Sequence, residues 1–217
     1  MSETVIVVIG ADPIAPEAVA DLPVDAMVVA ADSGADLARA AGLEPDVVIG
    51  DMDSISPDGL TWATDHTVIE RHHTDKNHTD TELAVAWAAR REPERIILVS
   101  GGGDRIDHAM AAIGSLGHRS LSAIPHLELR WAHQRGVVLH GPAHTQLDLP
   151  VGTTLSLLAL HGPCRGVGMT GTRWPLADAT LEPLIGGGVS NLSTEPTLDI
   201  SVADGVLTVI ITPGDNP

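Results

Sequence analysis

Apolar and polar positions change rhythm about halfway along this chain. Before about residue 120, short apolar runs of strand length alternate with stretches of helical spacing. Thr4–Ile9, Ala26–Ala31, Val47–Gly50 and Arg95–Ser100 read as buried strands, and Thr67–Arg71 as a weaker one. Between them, Pro16–Leu22 predicts a short helix stopped by Pro23, and Ala35–Ala41 a helix closed by Gly42. Thr79–Arg91 is the best-marked helix: Thr79 and Glu82 have capping-box spacing, Ala and Leu dominate, and Arg90 and Arg91 close the last turn. A further helix is expected from about Ile106 to Leu116. Strands alternating with helices predict a Rossmann-like α/β domain with a mainly parallel sheet covered on both faces.

Beyond Ser120–Pro125 the rhythm becomes short strands separated by Gly, Pro and Asp turns: Leu127–Trp131, Val137–His140, Thr145–Leu149, Thr153–Leu160 and Val206–Thr212. No helix is expected there, and the pattern predicts an all-β sandwich. The expected division is therefore an α/β catalytic domain over 1–122 and a β-sandwich over 123–217.

Composition narrows the function. The chain has 217 residues and a formal charge of −17, which argues against an extended nucleic-acid or anionic-membrane surface. No window approaches the about 18 apolar residues of a membrane-spanning helix. The N-terminus reads as a first strand rather than a signal peptide. A lone cysteine, Cys164, fits a reducing compartment, so a cytoplasmic protein is expected. Of 12 basic residues only Lys76 is lysine, which sets it apart.

Three clusters carry candidate chemistry. Asp51 and Asp53 follow Val47–Gly50, so they sit where a parallel strand delivers ligands, at its carboxyl end. Two carboxylates there repel unless a cation lies between them, and an all-oxygen donor set suits Mg²⁺. Asp also favours turns, so the pair alone does not decide. The second cluster, Asp75-Lys76-Asn77-His78-Thr79-Asp80-Thr81-Glu82, opens a helix. Its acids suit the helix dipole, but Lys76 beside a helix start also suits phosphate, and Asp80 can reach the same metal if the strand ends are neighbours. In the third, Gly101-Gly102-Gly103-Asp104-Arg105-Ile106-Asp107-His108, the glycines let backbone amides approach phosphate. Arg105 can bind phosphate bidentately, and Asp107 can orient either Arg105 or a metal-bound water.

Asp32-Ser33-Gly34 would line the same sheet edge. His72, His73 and His78 match no common zinc spacing and read as loop residues. In the β half, Trp174, flanked by Arg173 and Pro175, can offer its face to a flat cationic ring. Ser190 and Asn191 supply donors and acceptors for a heteroaromatic edge.

In order and spacing these segments resemble the thiamine pyrophosphokinase family along nearly the whole chain. The resemblance runs through Ala31-Asp32-Ser33-Gly34-Ala35, Pro45-Asp46 with Gly50-Asp51-Met52-Asp53-Ser54, Asp75-Lys76 with Thr79-Asp80-Thr81-Glu82, the turn ending Arg105-Ile106-Asp107-His108, Gly171 to Leu176, and Ser190-Asn191. It implies an α/β nucleotide domain and a β-sandwich that together transfer a pyrophosphoryl group from ATP to the thiamine hydroxyl, with release of AMP. It further implies Mg²⁺ on Asp51, Asp53 and Asp80, phosphate contacts from Lys76 and Arg105, and nucleotide contacts near Asp32, Thr79, Gly102 and Gly103. Thiamine would lie against Trp174, Ser190 and Asn191 at a homodimer interface, the Trp coming from the neighbouring subunit. The chain departs from the family's pattern at Asp104, Ala112 and Ser33, where Gly, Asn and Gly are usual. The residues leave open a pyrophosphokinase of another heterocyclic alcohol, such as a pterin, a sugar-nucleotide transferase, and a non-catalytic nucleotide- or thiamine-binding homologue.

Overall fold

The computed structural model describes residues 4–73, 77–103 and 105–214, which form two compact units divided between His133 and Gln134. The first unit is an α/β domain. Its strands are β1 (Thr4–Ile9), β2 (Met27–Ala31), β3 (Val47–Gly50), β4 (Val68–Arg71), β5 (Arg95–Ser100) and β6 (His126–Trp131). The helices between them are α1 (Pro16–Val19), α2 (Gly34–Ala40), α3 (Pro57–His66), α4 (Asp80–Ala89) and α5 (Ile106–Ser115). The strand order is β6-β5-β1-β2-β3-β4, and every neighbouring pair is parallel.

Both faces of this sheet are covered. Along β1, Val5, Ile6, Val7, Val8 and Ile9 are all buried, the continuous apolar run expected of a parallel strand with helices on each side. Ile6, Val8, Val28, Ile97 and Val99 pack with Ala38 of α2, while Ala30 and Val48 pack with Met52, Ile55 and Ala63. The chain winds outward from β1 to β4, then returns to place β5 on the other side of β1. The winding direction therefore reverses between β1 and β5, and such a reversal opens a crevice at the strand ends.

Two expectations about this half change. Leu127–Trp131, read from sequence with the β half, runs parallel to β5 in full register from Arg95↔His126 to Ser100↔Trp131. The loss of helices near residue 122 thus precedes the end of the parallel sheet. Pro57–His66 is a helix that the sequence reading missed. Ser56 caps it by accepting from the Gly59 N–H, but it buries only Gly59 and Ala63, so its apolar stripe is thin.

The second unit is an antiparallel β domain. Its strands are β7 (Gln134–His140), β8 (Ala143–Asp148), β9 (Thr154–Ala159), β10 (Cys164–Met169), β11 (Leu176–Leu181), β12 (Asn191–Leu192), β13 (Thr197–Val202) and β14 (Val206–Thr212). One sheet runs β12-β9-β14-β7 and the other β11-β10-β13-β8. Leu155, Leu157, Leu207 and Val209 of the first meet Val167, Met169, Leu198 and Ile200 of the second in one core, which makes the sandwich. Among the described residues, no helix is long and apolar enough to cross a membrane.

Candidate active site

The acids after β2 and β3 are brought together by backbone that few residues adopt. Asp32 follows β2 with φ 47, a left-handed conformation Asp tolerates better than most side chains. After β3, Met52 has φ 67 and turns its side chain into the core beside Ile55 and Ala63. That buried Met gives the Asp-x-Asp its physical meaning, because the central residue anchors the loop while its neighbours keep their carboxylates outside the core. Asp80 arrives as the first residue of α4, after Thr79 has closed the capping box: its Oγ1 accepts from the Glu82 N–H at 3.1 Å, and the Glu82 carboxylate accepts from the Thr79 N–H at 2.8 Å.

Asp32, Asp51 and Asp80 each place a carboxylate oxygen within 4.8 Å of the others. The resemblance puts Asp53 in this group and Asp32 among the nucleotide contacts. In the structure Asp53 is exposed beside the trio, its N–H donates to Asp51 Oδ1 at 3.2 Å, and its carboxyl is pushed up chiefly by the charge of Asp51. Asp32 is buried, and its Oδ2 accepts from both the Oγ of Ser54 at 2.7 Å and the Ser54 N–H at 3.3 Å. Its Oδ1 is buried with no hydrogen-bond partner. A buried carboxylate with one oxygen lacking a donor, in a cluster with two further carboxylates, is unfavourable until a cation arrives. The donor set is all oxygen, the chemistry of a hard divalent ion such as Mg²⁺.

These acids line a cavity of about 510 Å³ at the carboxyl ends of the parallel strands. Another wall is the turn after β5. Gly101 is required there by close approach, because a Cβ at that position would stand 1.9 Å from the Asp12 carbonyl oxygen of the loop after β1. Arg105 precedes α5 and is clamped by Asp107, with Nη2–Oδ2 2.7 Å and Nε–Oδ1 3.3 Å. That hydrogen bonding holds the Asp107 carboxyl down at about 2, so the pair remains charged through the neutral range. Thr79, Gly102, Gly103, Arg105 and His108 also line the cavity, while Lys76 lies outside the described residues. Asp12 and Trp131 line it too. Sequence reasoning missed both, because neither belongs to a cluster and only the strand order brings them to this edge.

In the second unit a smaller cavity of about 360 Å³ is lined by Met169, Trp174, Leu176 and the 187–191 segment. Trp174 is 54% exposed. Asn191, expected to meet a ligand edge, lines this cavity as a buried residue and holds the Trp174 backbone from both sides. Its Oδ1 accepts from the Trp174 N–H at 3.1 Å, and its Nδ2 donates to the Trp174 carbonyl at 2.6 Å. Ser190 lines the cavity in a left-handed conformation, φ 59, with its N–H donating to Ser156 Oγ.

A family model described as thiamin pyrophosphokinase, catalytic domain, matches residues 23–124, and one described as thiamin pyrophosphokinase, vitamin B1 binding domain, matches residues 144–207. Among solved structures the chain resembles thiamine pyrophosphokinase from Bacillus subtilis, with a TM-score of 0.82 and 19% identity over 97% of this chain and 99% of that one. A thiamin pyrophosphokinase family protein from Enterococcus faecalis gives 0.78 and 22% over 98% and 100%. Thiamin pyrophosphokinase from Candida albicans gives 0.79 and 16% over 96% and 88%. At these identities the structures speak to the fold.

Proposed function

The chain belongs to the thiamin pyrophosphokinase family, and from that premise we propose that it transfers the pyrophosphoryl group of magnesium-bound ATP to the hydroxyl of thiamine, releasing AMP. The enzyme class and the acceptor come with the family. The donor, the metal and the residues that hold them are the proposed part. The observation that carries the proposal is the convergence of Asp32, Asp51 and Asp80 at the strand ends, with one buried oxygen of Asp32 lacking a donor.

The six parallel strands are read as Rossmann-like in the sense that the nucleotide occupies the crevice where the strand order reverses. Asp51 and Asp80 hold the metal together with Asp32, and Asp53 adds negative charge beside them. Bound there, Mg²⁺ supplies charge neutralisation and orientation of the phosphates. Arg105, kept in position by Asp107, and Lys76 contact phosphate oxygens, and the amides around Gly102, Gly103 and Thr79 approach the same chain of phosphates. Such residues accelerate transfer by positioning and by stabilising charge that builds on the β-phosphoryl group, with no covalent step required of the protein.

Trp174 offers an exposed indole to the cationic thiazolium of thiamine, Asn191 fixes the backbone that presents it, and Ser190 lines the same cavity. A homodimer with thiamine at its interface is supported by the apolar side chains of Leu184, Ile185 and Val189, exposed near Trp174 in the chain. The buried free thiol of Cys164 fits a reducing, cytoplasmic setting.

Incubation with Mg-ATP and thiamine should give thiamine diphosphate and AMP in equal amounts, with neither formed in EDTA. Appearance of ADP and thiamine monophosphate would instead mean single-phosphoryl transfer and overturn the reading. Trp174→Ala should raise the thiamine KM at least about tenfold and leave the ATP KM within about twofold, the contrast expected when a cation–π face is lost at one substrate only. Equal losses for both substrates would return Trp174 to the scaffold.

A further inference from the structure

The cavity of the first unit has chemically distinct ends. At one, Asp32, Asp51 and Asp80 converge after β2, β3 and at the start of α4. At the other, Ala109 and Ala112 of α5 face the same space as Trp131, the last residue of β6. Parallel neighbours lie about 4.8 Å apart, so three intervals separate the end of β2 from the end of β6 along the order β2-β1-β5-β6, about 14 Å. That is the scale of an extended nucleoside triphosphate laid across the strand ends with its phosphates on the acids. The glycine-rich turn after β5 lies between the two ends, next to Trp131, where the backbone has to let a ligand pass. A Cβ on Gly102 would stand 3.7 Å from Trp131 Nε1, so the missing side chain leaves the indole uncovered on that side.

Trp131 is half-buried, and its backbone is held by the Ser100↔Trp131 register of β5 and β6 and by the Ala132 N–H donating to the Ser100 carbonyl at 2.9 Å. An indole on a backbone fixed by pairing, with only two side-chain torsions to order, can contribute an apolar face to the cavity at a modest ordering cost. The acids cannot distinguish a nucleotide from any other polyphosphate. Recognition of the base calls for a group at the opposite end, and among the described residues Trp131 is the one indole that lines this cavity, alongside the smaller imidazoles of His78 and His108.

We propose that Trp131 forms the nucleobase end of the cleft, packing its indole on the base and so making the site prefer nucleoside triphosphates, purine ones above all, to bare polyphosphate. This rests on the reading of the cavity as the ATP site. Its test is the affinity of the parent protein, Trp131→Ala and Trp131→Phe for Mg-ATP, Mg-UTP and Mg-tripolyphosphate, by calorimetry without thiamine and with thermal unfolding of each variant as the fold control.

The parent should bind Mg-ATP more tightly than tripolyphosphate. Trp131→Ala should lose about 10- to 100-fold in ATP affinity, the scale of one base–aromatic stack. It should lose less for UTP and nothing for tripolyphosphate, and Trp131→Phe should recover most of the ATP loss. An unchanged ATP affinity in folded Trp131→Ala, or an equal loss for tripolyphosphate, overturns the proposal. A parent that binds ATP no better than tripolyphosphate also overturns it, while the phosphate site stands. A parent that binds neither ligand removes the ATP reading as well.

Discussion

Asp51→Asn is expected to cut thiamine diphosphate formation by about 10²-fold or more, the scale of losing one preorganised electrostatic partner of a transition state, while making the metal-free protein more stable. The two effects have one origin. Asp32, Asp51 and Asp80 bring carboxylate oxygens within 4.8 Å of one another. At an effective dielectric constant near 20, each such pair of charges repels by about 3 kcal/mol, which partial exposure of Asp51 and Asp80 screens to about 1 kcal/mol. Neutralising Asp51 removes two of the three repulsions, so thermal unfolding in EDTA should rise by about 2–4 °C per kcal/mol relieved. The parent, in contrast, should gain stability with Mg²⁺ because the ion binds only the folded cluster, and the variant should lose most of that gain. Thermal unfolding of both proteins across a Mg²⁺ titration, alongside an AMP assay, measures both arms. A variant that keeps the parental Mg²⁺ shift would remove Asp51 from the metal site. Asp53→Asn is the informative comparison. Asp53 is exposed and outside the trio, so its loss should weaken the Mg²⁺ response less than the loss of Asp51.

The contrast between Asp32 and Asp53 marks how far the sequence could be read. The apolar runs of β1, β3 and β5 and the capping box of α4 were legible because their causes are local: burial on both faces, and a hydroxyl and a carboxylate three residues apart. Membership of a three-carboxylate cluster is not local. Asp51 and Asp53 are two residues apart in the chain, yet the third partner of Asp51 and Asp80 comes from the neighbouring strand, through a left-handed Asp32 whose second oxygen Ser54 occupies. Nor could spacing show that Asn191 uses its amide on the Trp174 backbone. Strand β6 was misplaced because a short alternating run looks the same in a parallel and an antiparallel neighbourhood. Strands β10 and β11 escaped notice because β10 carries two glycines and β11 buries only Leu181, which leaves little periodicity to find.

Gly50→Ala should uncouple the cluster without unfolding the domain. Gly50 ends β3 with φ 152, a conformation open to glycine and strained for alanine. A Cβ there would lie 2.9 Å from Asp80 Oδ1 and 3.1 Å from the Asp32 Cβ. The variant has two ways to relax, and each moves an acid. If the backbone keeps its course, the methyl group displaces the Asp80 carboxylate. If the backbone turns toward an ordinary conformation, Asp51, the next residue, leaves its place. The expected cost in stability is about 1–3 kcal/mol, the usual scale of one strained residue, and the buried run Val47–Ile49 keeps β3 in the sheet. Mg²⁺ affinity should fall about 10- to 100-fold, as it does when groups that orient metal ligands are disturbed, and the Mg²⁺ concentration for half-maximal turnover should rise with it. Gly42→Ala provides the control for strain alone, since Gly42 has φ 80 and nothing within 4 Å of its would-be Cβ. That variant should lose stability on a similar scale and keep the parental Mg²⁺ response. If Gly50→Ala also kept it, the three acids would not need the close approach that glycine permits, and their convergence would cease to explain the metal site.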